Sequence, residues 1–194
     1  FGNMSAPTVL FVLERLLASR GAITDHIRHL LPANTNAVKV RHHGDLHLGQ
    51  VLVAKDDAFI LDFEGEPGRS LAERRSKAPA ARDGAGLLRS IDYSATAALF
   101  NATSLTPEER SILHPKLEVW RQKAADEFWN VCRQATDPAL WPSDPAQAQN
   151  LLDFFLLEKA FYEIDYELMN RPAWLHVPLD GTWRILKRHN VVQS

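Results

Sequence analysis

Cysteine is almost absent from this chain: among 194 residues only Cys132 occurs, so no internal disulfide can form. With no signal-peptide pattern at the N-terminus, that usage points to a reducing, cytoplasmic setting. No apolar run approaches the roughly 18 residues needed to cross a bilayer, which excludes a helical membrane span. Neither sign of charge is in real excess. The 22 basic and 24 acidic side chains leave a net charge of −2, so no global field favours nucleic acid or an anionic membrane. Internal repeats and low-complexity tracts are missing too. The chain opens at Phe1 with no initiator methionine and enters a helical pattern almost at once, as a cut would.

What is present begins with a hydrophobic fraction of 45%, enough to bury one substantial core without cross-links and to make residues 1–194 one compact lobe. The most informative stretch is His43-Gly-Asp45-Leu-His47-Leu-Gly-Gln50, followed by Asp62-Phe63-Glu64. Moving a γ-phosphoryl group from ATP to a hydroxyl needs an in-line nucleophile and divalent metal to neutralise phosphate charge, and little covalent help. Asp45 suits the base that takes the hydroxyl proton. Gln50, five residues on, matches the D-x-x-x-x-N metal-ligand spacing of protein kinases with Gln for Asn, and Asp62 follows as the stronger ligand. His43 either shares in catalysis or braces the loop through the backbone. His42 and His47 lack the spacing and fourth ligand of a zinc site.

Local patterns support this placement. Val51–Ala54 and Ala58–Asp62 are short apolar runs joined by Lys55-Asp56-Asp57, a hairpin that carries Gln50 at its start and Asp62 at its end. Ala37–Arg41 feeds the loop that holds Asp45. Before it, Thr8–Ala18 reads as a helix buried on most of its surface, and a second short helix ends near Pro32. After the hairpin, a Pro/Gly/Arg-rich connection spans Gly65–Ala81. Its basic cluster, Arg69, Arg74, Arg75, Lys77 and Arg82, reads as a solvated loop in which one or two arginines anchor carboxylates or phosphates.

Helical periodicity returns from Arg82 or Asp83 to about Phe100. Thr106-Pro107-Glu108-Glu109 opens another helix that bends or restarts near Pro115, and a long helix covers about Pro145–Asn170. The tail, Asp180–Arg188, reads as a last short helix. On the long helix Tyr162 and Tyr166 share a face beside a stripe of Glu163 and Glu167. Rings beside carboxylates suit a sugar, whose C–H face the rings cover and whose hydroxyls the carboxylates accept. An amphipathic helix with tyrosines in the core and glutamates in water fits the same spacing.

The combination Gly44–Leu52, Asp62–Pro67, Leu71–Arg75, Arg82-Asp83, Leu88–Tyr93, Phe155–Leu168 and Arg171-Pro172 closely resembles bacterial maltokinase, above all the maltokinase portion fused behind trehalose synthase. The likeness covers the chain from about Val40 onward. It implies a mostly helical α+β fold, the C-lobe of the aminoglycoside-phosphotransferase-like version of the protein-kinase fold, with a short catalytic β-hairpin. It implies ATP- and Mg²⁺-dependent transfer to the anomeric hydroxyl of maltose, giving maltose 1-phosphate for α-glucan synthesis. On this resemblance Asp45 is the base, Gln50 and Asp62 hold metal, and Glu64 coordinates metal or orients Asp62. Arg82, Asp83, Arg89, Asp92 and Tyr93 shape the sugar pocket, with Tyr162, Glu163 and Tyr166 opposite.

One departure from the family matters. Its N-terminal lobe supplies a lysine for the ATP phosphates and much of the adenine pocket, and no room for one exists before Val40. The expectation is therefore a C-lobe that is poorly active alone, with its nucleotide lobe and a trehalose synthase domain elsewhere in the parent chain. Two competitors stand beside maltokinase: a kinase for glucosamine or an aminoglycoside, and a non-catalytic module that binds α-glucan or assembles with trehalose synthase.

Overall fold

A computed structural model describes residues 6–31 and 36–192, with side chains from residue 9 onward. The expectations at Phe1 and Pro32 lie outside these residues. Seven α-helices, three single-turn 3-10 helices and two small antiparallel sheets make up the described chain: α1 (Ala6–Ala18), α2 (Arg20–Leu30), β1 (Val40–Arg41), β2 (Val51–Ala54), β3 (Asp57–Ile60), α3 (Leu71–Arg75), β4 (Lys77–Ala78), α4 (Ala81–Asn101), α5 (Pro107–Ala135), α6 (Pro145–Asn170) and α7 (His176–Arg188). The expected mostly helical α+β class is observed. No helix among the described residues is long and apolar enough to cross a membrane.

The core forms around α6, which packs against α4, α7 and α2. Its apolar run leaves Leu151, Leu152, Phe155, Leu156, Leu157 and Ala160 buried, against Ala81, Ala85 and Leu88 of α4 and Leu179 and Leu186 of α7. Local chemistry sets the ends of the helices. Asp144 caps α6 by accepting from the Ala146 N–H with Pro145 in the first turn, and Thr106 and Glu109 close a capping box at α5.

Several sequence expectations need correction. α1 is not buried on most of its surface: Val12 is buried, but Leu10, Phe11 and Leu17 are exposed, because the helix lies at the margin with one face on α7 and α2. α5 runs unbroken through Pro115, whose missing N–H frees the Ser111 carbonyl on an exposed stretch that water can satisfy. The last helix starts at His176, one turn before Asp180.

Nor is the connection after the hairpin simply a loop. Ser70 and Glu73 form a capping box that starts α3, and β4 pairs with β1, Val40 opposite Ala78 and Arg41 opposite Lys77. Of the Ala37–Arg41 run, Val40 and Arg41 pair with another strand, while the Val38 N–H donates to the Ala139 carbonyl at 2.9 Å, so the strand is that short. In the hairpin, Lys55 and Asp56 alone make the turn, both at positive φ (51° and 63°), the two-residue geometry that matches strand twist. Asp57 thereby joins β3, and the strand ends at Ile60, short of Asp62.

Candidate active site

The loop after β1 is held from below by α4. Asp83, in the first turn of α4, accepts the N–H groups of His43 at 2.7 Å and Gly44 at 3.0 Å. Ser90 accepts the Leu48 N–H at 2.9 Å. Gly86 brings the helix against the loop so closely that a Cβ there would stand 2.6 Å from the Leu46 carbonyl oxygen. Gly44, at φ 88°, lets the loop turn where a Cβ would meet the Gly65 Cα at 3.1 Å, so the Asp45 loop and the segment after Asp62 touch backbone to backbone.

His43 is occupied at both ring nitrogens. Nε2 bonds to the Leu61 carbonyl at 2.7 Å, which requires an N–H there, and bare Nδ1 accepts the Asp45 N–H at 3.3 Å. Buried against Phe63, with ring centroids 4.7 Å apart, the ring ties the Asp45 loop to the end of the hairpin. With both ring nitrogens engaged by backbone groups, His43 has the geometry of the loop brace, one of the two roles its sequence position offers. Asp83 likewise has both carboxylate oxygens on the loop backbone.

The hairpin brings Gln50 to Asp62. The Leu61 N–H donates to the Gln50 carbonyl at 2.9 Å, and the Gln50 Nε2 lies 3.0 Å from Asp62 Oδ2. Asp62 sits at φ 61°, a left-handed conformation that costs a non-glycine residue about 1 kcal/mol or more and turns the chain sharply out of the strand. Glu64 is exposed, its carbonyl accepting from Arg74 at 3.2 Å. Two hard oxygen donors from Gln50 and Asp62 fit Mg²⁺, which keeps several waters and takes further ligands from phosphates. Among the described residues no group of three or more His, Cys, Asp or Glu is arranged around a common metal position.

A cation that sequence reading did not select completes the arrangement. Lys159 of α6 donates to Asp45 Oδ1 at 2.9 Å and to Glu66 Oε1 at 2.7 Å, and lies 4.7 Å from the centroid of the Tyr162 ring. Burial opposes its charge, but Glu66 and Asp45 outweigh that and hold the ammonium above the ordinary lysine range. Glu66 is itself buried and gripped by Arg69 at 2.5 Å, and Arg69 and Arg82 both reach Glu158. The anchoring role foreseen for one or two arginines thus falls to Arg69 and Arg82. The available signal for Lys159 was a lone lysine beside Ala160 in the apolar part of α6, where a buried ammonium demands a carboxylate.

Two further networks hold the other expected sugar residues. Arg89 is only 2% exposed and bridges Asp92 and Glu163, each at 2.5 Å, while Asp92 also receives Arg184 at 2.6 Å and Arg121 at 3.2 Å. Burial opposes the Asp92 charge, yet the three arginines hold its carboxyl below the usual range. Arg89 and Asp92 are held in an interior ion-pair network, in which the cost of burial is offset by mutual neutralisation. Tyr93 donates to Glu167 at 2.8 Å, and burial and that bond raise its phenol; Arg171 clamps the same carboxylate at 2.5 Å. Tyr162 and Tyr166 stack at 6.5 Å, and Tyr166 is 45% exposed. The amphipathic alternative is thus inverted: Glu167 is buried and paired, while Tyr166 faces out.

No family model matches the chain. It is 28% identical over 166 residues to a glucosamine kinase of Streptacidiphilus jiangxiensis, covering 85% of this chain and 35% of that protein. A glucosamine kinase of Mycolicibacterium smegmatis is 29% identical over 136 residues, 70% of this chain and 32% of that one. The chain thus spans about a third of the length of the curated relatives it matches. Among solved structures, glucosamine kinase in complex with glucosamine, ADP and inorganic phosphate superposes with a TM-score of 0.65 at 20% identity, covering 94% of this chain and 49% of that one. A second crystal form of a glucosamine kinase gives 0.64 over 93% and 47%. The described chain shares the fold of the matching half of these kinases.

Proposed function

We propose that this chain is the phosphoacceptor lobe of an ATP-dependent kinase that phosphorylates a sugar hydroxyl. The observation that carries the reading is a Lys159-clamped Asp45 on a loop that His43 ties to the end of the hairpin bearing the Gln50–Asp62 pair. With Oδ1 engaged by Lys159, Asp45 has Oδ2 available to orient the acceptor hydroxyl and take its proton. Gln50 and Asp62 would hold Mg²⁺, with Glu64 close by; the ion, when bound, neutralises charge on the transferring phosphate. ADP in a structural neighbour supports ATP as donor.

The nucleotide lobe belongs elsewhere in the protein on this reading. Its support is the half-length match to the solved kinases and a hairpin whose Leu52, Phe59 and Leu61 are exposed, an apolar surface that a second lobe and a nucleotide base would cover.

For the acceptor, the relatives favour an amino sugar such as glucosamine. Maltose is the second reading, and one observation favours it: Glu158, Glu163 and Glu167 are each already paired to arginine, leaving this face poorer in free carboxylate than an ammonium-bearing sugar asks for. Attachment to a trehalose synthase domain belongs to that second reading and rests on the motif resemblance. Mg²⁺-dependent ADP release by the full-length protein with glucosamine, maltose and an aminoglycoside as separate acceptors distinguishes these. Turnover with none of them would overturn the kinase reading in favour of a binding module.

A further inference from the structure

A cavity of about 470 Å³ lies between α5 and the core helices α4, α6 and α7, apart from the Asp45 loop. Its volume falls in the range of small-molecule sites. No residue of α5 is fully buried, so this long helix roofs the space without filling it. Leu88, Leu152 and Leu156 contribute apolar wall, Trp129 of α5 contributes an indole, and Arg121 and Arg184 contribute guanidinium groups from opposite helices.

The two arginines are only partly used. Their terminal nitrogens meet Asp92, at 3.2 Å from Arg121 and 2.6 Å from Arg184, and further carboxylates on their own helices, Glu118 and Asp180. In both, Nε is shielded from solvent and has no hydrogen-bond partner. A buried unpaired N–H is costly, and both of these groups are donors without acceptor capacity. Each terminal nitrogen carries two N–H donors and meets one carboxylate, so donors remain on both guanidinium groups that line the cavity, and an arginine edge suits the oxygens of a phosphate. The indole offers the flat apolar face on which the C–H side of a sugar ring rests, and the amides of Gln122 and Gln149 on the same wall can meet hydroxyls.

We propose that this cavity binds a phosphorylated sugar, with its phosphate accepting from Arg121 and Arg184 and its ring against Trp129. The site is separate from the candidate active site and does not depend on the kinase reading.

Isothermal titration of the 194-residue chain with glucose 1-phosphate, and with glucose as the neutral control, tests it. The expected result is saturable one-to-one binding of glucose 1-phosphate that glucose does not reproduce. Ala125→Phe fills the cavity without touching the ion network; it should abolish binding while the melting temperature stays at or above that of the wild type. Arg184→Gln gives an independent reading and should weaken binding at least about tenfold, the loss of a charge-assisted hydrogen bond. No saturable binding by the wild type, undiminished binding by folded Ala125→Phe or by Arg184→Gln, or glucose binding as tightly as its phosphate, would each overturn the proposal.

Discussion

Replacing Lys159 with Met removes the ammonium from between Asp45 and Glu66 while keeping most of the side-chain volume. Breaking a buried ion pair from one side costs roughly 3–5 kcal/mol, because a carboxylate is left without its partner. Here the low end applies. Glu66 keeps Arg69 at 2.5 Å, and the Asp45 side chain is 23% exposed, so water can take up part of its charge. A loss of about 3 kcal/mol lowers the melting temperature of a domain this size by about 6–12 °C. Thermal unfolding of the isolated chain measures this without any need for activity. In the full-length protein, a displaced Asp45 should reduce kcat about 100-fold, with the KM for sugar changing far less. Lys159→Arg, which keeps the charge, should recover much of the stability. Lys159 also stabilises the fold only while charged, so its contribution is complete below pH 10.5 and is lost as pH rises through its raised value. A Lys159→Met chain that melts with the wild type and turns over at the wild-type rate would refute the clamp.

Asp92→Asn leaves Arg89 buried with one carboxylate fewer and should cost about 3–5 kcal/mol in urea unfolding. Because the Asp92 carboxyl is depressed, its stabilisation is present above pH 3.8 and lost as pH falls below that, so the variant's stability should vary less with pH there. His42 is 7% exposed and burial depresses its imidazole; the protein should lose stability as pH falls below 6.5, and His42→Phe should flatten that slope in pH-dependent melting. Gly86→Ala forces a Cβ to within 2.6 Å of the Leu46 carbonyl oxygen, so the loop must move; kcat should fall about 10-fold or more while circular dichroism keeps its helical signal.

The parts of this architecture legible in sequence are those governed by neighbours along the chain. Gln50 and Asp62 lie at the two ends of one hairpin, where spacing and turn chemistry fix geometry, and their side chains meet. The Thr106 cap placed the start of α5 for the same reason. Lys159 was not legible, because its partner Asp45 is 114 residues away and only the packing of α6 against α4 and the Asp45 loop brings them together. The ion pairs of Arg89 and Asp92 were not legible for the same reason: Glu163, Arg121 and Arg184 reach them from three other helices distant in sequence. The exposed face of α1 was missed because apolar density alone does not say how much of a helix the rest of the molecule covers.

The most direct test of the central claim is Mg²⁺-dependent ADP release by the full-length protein with glucosamine or maltose, beside its Asp45→Asn variant. Sugar-dependent turnover that falls at least about 1000-fold in the variant, with its melting temperature little changed, is the predicted result. Turnover that survives the loss of the Asp45 carboxylate would contradict its assignment as the base.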